Sequence, residues 1–173
     1  MGITLHYNGV LRHNTSLSDL IRDTMAVVKR SAGWGAHVFK ETFPATSGHN
    51  ADDSIYGMLF YAPESEPVYL TFDNNRQLRM WLFDSSEAKG IKRSTAADKQ
   101  ALKGAFTKTH YAGPEVHMRI VDLLRKLSEK YFEHFEMIDE SGYWENRNAT
   151  LLRERFGPED TIASMLAQKL KAF

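Results

Sequence analysis

The chain has 173 residues, 42% of them apolar and 25% charged, with 22 Lys and Arg balancing 22 Asp and Glu. This size and composition fit one globular domain spanning residues 1–173, and the charge balance gives no global field to gather nucleic acid. The absence of cysteine excludes thiol nucleophiles, thiolate metal sites and disulfides.

No stretch approaches the ~18 apolar residues of a membrane span, and the start lacks the charged and apolar regions of a leader. The expectation is a soluble, cytoplasmic, bacterial-type domain that needs no cofactor and makes no membrane contact. Ile3, Leu5 and Tyr7 alternate with polar neighbours and predict a first strand. Ser16 and Asp19 then open a helix along Leu17, Leu20, Ile21, Thr24 and Val28, which Gly33 terminates.

A strand is predicted over Ala36 to Phe43, followed by a polar loop from Pro44 to Asp53. Two further strands, Ile55 to Tyr61 and Val68 to Phe72, flank a segment carrying Pro63 and Pro67. The next turn has two possible registers. A two-residue loop at Asn74-Asn75 sets Phe72 against Gln77 and Leu70 against Arg79, mixing apolar and charged groups. The three-residue loop Asn74-Asn75-Arg76 instead pairs Phe72 with Leu78, Leu70 with Met80 and Val68 with Leu82, leaving Tyr69 beside Trp81 on the opposite face.

Residues Ala96 to Leu102 allow a short helix, and Ala105 to Tyr111 reads as β. Gly113-Pro114-Glu115 opens the most strongly patterned helix, with its apolar stripe through Val116, Ile120, Leu123, Leu124, Leu127 and Tyr131. A strand from His134 to Asp139, a turn at Glu140-Ser141-Gly142, a helix from Asn148 to Gly157 and a last helix from Pro158 complete the reading. Strands in the middle and helices near the C-terminus predict an α+β fold, an antiparallel or mixed sheet of about five to seven strands covered by helices, with two helices at the C-terminus.

No phosphate-binding glycine pattern, kinase signature or nucleophile elbow is present. Metal ligation is considered at His110, Glu115 and His117. Glu115 and His117 lie roughly 200° apart around a helix, so they do not share one ion, and no metal is expected. The densest polar and aromatic segment is Asp139-Glu140-Ser141-Gly142-Tyr143-Trp144-Glu145. Trp and Tyr are frequent interface anchors, and Glu140 with Glu145 could form a glycosidase pair if they faced each other across a groove.

Together with Tyr111 to His117, this segment resembles stretches of small bacterial proteins, and the resemblance implies no activity. The candidate binding residues are His110, Glu115, His117, Asp139, Glu140, Tyr143, Trp144 and Glu145. The first reading is a non-catalytic interaction module, of inhibitor or immunity type, that binds another protein through this acidic, aromatic region. The alternative is an enzyme or ligand-binding domain in which these His and Glu residues share a pocket. Single-stranded nucleic acid on a Tyr69, Arg79 and Trp81 platform ranks third. A monomer is expected over a homodimer, on the view that the last helix covers Trp81.

Overall fold

A computed structural model describes residues 2–45, 54–80 and 104–157. The chain order is β1 (Thr4–Leu11), α1 (Leu17–Lys29), β2 (Gly35–Val38), β3 (Tyr56–Tyr61), β4 (Val68–Phe72), β5 (Ala105–Lys108), a 3-10 turn (His110–Ala112), α2 (Pro114–Tyr131), β6 (Phe132–Asp139), α3 (Tyr143–Asn146) and α4 (Ala149–Phe156). The fold is α+β, but the expectation of one sheet of five to seven strands is corrected. Among the described residues two antiparallel three-stranded sheets form, in the orders β5-β1-β6 and β2-β3-β4. The expected helix at Ala96 to Leu102 and the last helix from Pro158 lie outside the described residues.

Each sheet follows its local chemistry. Ser16 caps α1 by accepting from the Asp19 amide, and Leu17, Leu20, Ile21, Thr24 and Val28 are its buried residues. The predicted strand after Gly33 is shorter than expected: its ladder with β3 runs from Gly35 to Val38, and Phe39 and Lys40 add bonds to Gly57 beyond it. Gly57 sits in β3 at φ 101, where an added Cβ would lie 2.1 Å from the Leu70 carbonyl, so only glycine lets β3 and β4 approach this closely.

The turn after β4 takes the three-residue form. Phe72 bridges Leu78, Arg76 adopts φ 63, and the Asp73 carboxylate accepts from the Asn75 and Gln77 amides. The returning segment also reaches the other sheet. The Leu78 amide donates to Gly9, the Leu11 amide donates to Arg76, and Val10 bridges Gln77. This segment joins the two sheets at one edge.

A second tie is the buried Tyr7 hydroxyl, which accepts from the Tyr69 amide at 2.8 Å and donates to the Tyr69 carbonyl at 3.2 Å. Burial pushes this phenol far above its ordinary range, so it stays a neutral donor and acceptor. Replacing Tyr7 by Phe strands the Tyr69 amide. Urea unfolding of Tyr7→Phe is expected to show a loss of about 1–3 kcal/mol, the usual cost of an orphaned buried donor.

The inner faces of both sheets, with α1 and α2, build one core around Leu5, Leu11, Phe60, Leu70, Phe72 and Leu124. β4 is buried along its whole length, so Tyr69 is no exposed platform. Its proposed neighbour Trp81 lies outside the described residues.

Candidate functional site

Three turns converge beneath the ends of β5 and β6. Thr109 follows β5 and donates its amide to Ile3, and the chain closes one 3-10 turn before Gly113, at φ 85, opens α2. Pro114 takes the first helical position, which has no amide to satisfy. His117 is the fourth residue of α2 and points inward, whereas Glu115 points out to Arg153 at 2.8 Å. The angular separation of the two residues thus divides them between core and solvent.

His117 is fully enclosed. Its Nδ1 lies 2.8 Å from the Thr109 hydroxyl, and its Nε2 lies 3.2 Å from Asp139 Oδ2 and 3.0 Å from the Ser141 hydroxyl. Asp139 ends β6, and its carboxylate takes two donors on each oxygen. Oδ1 accepts from the Ser141 amide and hydroxyl, while Oδ2 accepts from His117 and the Trp144 amide at 2.9 Å. Every lone-pair position of the carboxylate is therefore occupied. Burial alone would raise this carboxyl, but the hydrogen bonds and charge of His117 and the bonds from Ser141 outweigh it, holding it at about 2.

The residue types are those of a hydrolytic site, but the geometry is not. A triad sets the nucleophile and the carboxylate on opposite nitrogens of the imidazole, and here Ser141 and Asp139 approach the same one. Thr109 does stand opposite Asp139, giving the order hydroxyl, imidazole, carboxylate. Yet Thr109, His117 and the Asp139 side chain are all fully buried, so no substrate carbonyl reaches the hydroxyl. The arrangement is a closed polar latch that fixes the start of α2, the end of β6 and the turn into α3.

The remaining predicted residues have separate surroundings. Tyr143 is buried with its ring edge to His117, and Phe156 of α4 closes the other side at 5.5 Å. His110 stacks on Phe156. Trp144 is half-buried under the Arg125 guanidinium, 4.1 Å from its ring, and its carbonyl accepts from Arg125. Tyr143 and Trp144 are thus engaged within the fold, while Glu145 is exposed. The Glu140 side chain turns away from the latch, accepting from the Thr4 amide and lying 3.5 Å from His6.

Sequence reasoning selected His117 and Asp139 but left out Thr109, Ser141 and Phe156. The Asp-x-Ser spacing, in which a carboxylate caps an amide two residues on, was the one available signal for Ser141. Among the described residues no group of three or more His, Asp or Glu is placed to hold a metal ion. No described helix is long and apolar enough to cross a membrane.

A different surface lies around Glu140. On the outer face of the β5-β1-β6 sheet, Thr4, His6, Asn8 and Val10 alternate outward along β1, and the pairing places Phe106 and Ile138 on either side of His6. Ile138 is 69% exposed and Phe106 is 40% exposed, an apolar pair flanking one imidazole at mid-sheet. Lys108 and Glu140 lie beyond them near Thr4, and Glu136 with His134, 3.1 Å apart, lie toward the other end.

Comparison with known proteins finds no match among protein-family models, curated proteins or solved structures.

Proposed function

We propose that the protein is a non-catalytic interaction module that binds another polypeptide through the outer face of the β5-β1-β6 sheet. The observation that carries this reading is the row Phe106, His6, Ile138, which sets exposed apolar side chains on both neighbours of a central strand. One exposed apolar residue is ordinary; a pair on one sheet face, rimmed by Lys108, Glu136 and Glu140, has the apolar centre and polar rim of a binding patch. The acidic region proposed from sequence contributes Glu140 to this rim, while its aromatic residues Tyr143 and Trp144 serve packing.

The closed latch supports the same reading. Its hydroxyls and imidazole are consumed by one another, and their burial leaves no reacting atom accessible.

A photo-crosslinking side chain placed at position 138 tests the proposal in living cells. A discrete adduct with a polypeptide is expected, and it should disappear when the crosslinker is moved to the buried position 137. Failure to form any discrete adduct at 138 would count against the face as a binding surface.

A further inference from the structure

We infer that the polypeptide bound on this face is a second copy of the same chain, packed about a twofold axis that runs along β1. The inference rests on the binding role proposed for the face and names its partner. In the sheet order β5-β1-β6, β5 lies on one side of β1 and β6 on the other. A twofold axis parallel to β1 lays two such faces together and exchanges these sides. β5 of one copy then covers β6 of the other, an isologous contact in which every pairing occurs twice.

The outward residues match under that operation. Phe106 and Ile138 both stand level with His6, so Phe106 of each copy meets Ile138 of the other. Lys108 stands level with Thr4 on the β5 side. Glu140 stands at the same level on the β6 side, where its amide donates to the Thr4 carbonyl. Lys108 of each copy therefore meets Glu140 of the other, two opposite-charge pairs generated by one symmetry operation. His6, Asn8 and Val10 fall along the axis. A twofold axis across the strands at the level of His6 would instead keep β5 over β5 with the strands reversed, setting Glu140 of one copy against Glu136 of the other. Charge thus selects the twofold along β1, because like charges placed opposite one another disfavour the alternative.

Size sets the expected strength. Three strands about 4.8 Å apart, β1 and β6 of eight residues and β5 of four, at about 3.4 Å per residue make a small patch, at the low end of specific interfaces, so the dimer is reversible rather than obligate. The monomer expected from sequence rested on covering Trp81, which lies outside the described residues.

Sedimentation velocity of the full chain, from about 1 µM to about 1 mM, reads the assembly directly. A concentration-dependent dimer is expected, and Ile138→Asp should remain monomeric throughout. Lys108→Glu and Glu140→Lys should each weaken dimerisation roughly tenfold, since each turns two attractive pairs into repulsive ones. The double variant K108E/E140K should recover dimerisation to within about threefold of the parent, because the swapped charges still meet across the axis. That recovery also shows the double variant to be folded. A parent that stays monomeric, a dimer indifferent to Ile138→Asp, or a double variant no better than either single overturns the inference. A monomeric parent whose position 138 still crosslinks a different protein rejects self-association while leaving the binding role intact.

Discussion

Asp139→Ala is expected to lower stability by about 3–5 kcal/mol, a drop on the order of 10 °C in Tm for a chain of this size, although the residue touches no candidate binding surface. The carboxylate accepts from the Trp144 amide and from the Ser141 amide, and it faces His117 Nε2 at 3.2 Å. Removing it takes the acceptor from the Ser141 and Trp144 amides and unties α3 from β6. Glu140→Ala, one residue further on, deletes an exposed carboxylate and is expected to cost no more than about 1 kcal/mol. Differential scanning calorimetry of the two variants checks the contrast. Equal melting temperatures for both would mean that the latch contributes nothing to the fold.

The second large effect is a pH dependence. Asp139 is held at about 2 in the folded chain, against an ordinary value of 3.8. A carboxyl depressed by folding contributes stability that is complete above the unfolded value and is lost as pH falls through the folded one. The window therefore runs from about pH 4 down to about pH 2, and the shift corresponds to about 2 kcal/mol. Asp139→Asn keeps the shape but cannot ionise, so its stability should fall less steeply across this window. Other carboxylates titrate in both proteins and cancel in the difference. Urea midpoints measured from about pH 6 to about pH 2 should show the two curves converging as the medium becomes acidic. Parallel curves would mean that Asp139 gains nothing from its partners.

Local features of this chain were legible because their causes are local. The Ser16 cap, the apolar faces of α1 and α2, proline at the head of α2 and the Asn148 cap of α4 all follow from residues within four positions of one another. The turn after β4 was legible for the same reason, since one of its two registers kept Phe72 and Leu78 on a single face. Its cost is carried by Arg76 in the left-handed region, where the guanidinium donates to the Arg12 and Thr15 carbonyls and stacks on Phe43.

Sheet organisation was not legible in the same way. β1 takes as neighbours β5, about a hundred residues on, and β6, further still, and alternation of side chains says which face is buried without saying which edges meet. The candidate site divides similarly. His117 and Asp139 were selected as chemically capable residues, but they meet only because β5, α2 and β6 converge on one end of the sheet. Thr109 carries no motif that announces it. Tyr143 and Trp144 looked like interface anchors by type, and the fold uses them as packing against His117 and Arg125. Ile138 drew no notice in a strand whose other members alternate as expected, and its exposure appears only once β6 is placed beside β1.

The proposed binding role holds Ile138 at the surface for a partner rather than for the fold. Thermal unfolding of Ile138→Asp at low concentration, where a reversible dimer has dissociated, tests this most directly. An exposed residue carries little folding energy, so Tm should stay within about 2 °C of the parent. A fall of 10 °C or more, about that expected for a core substitution in a chain of this length, would show that the side chain is covered within the monomer and would contradict the account.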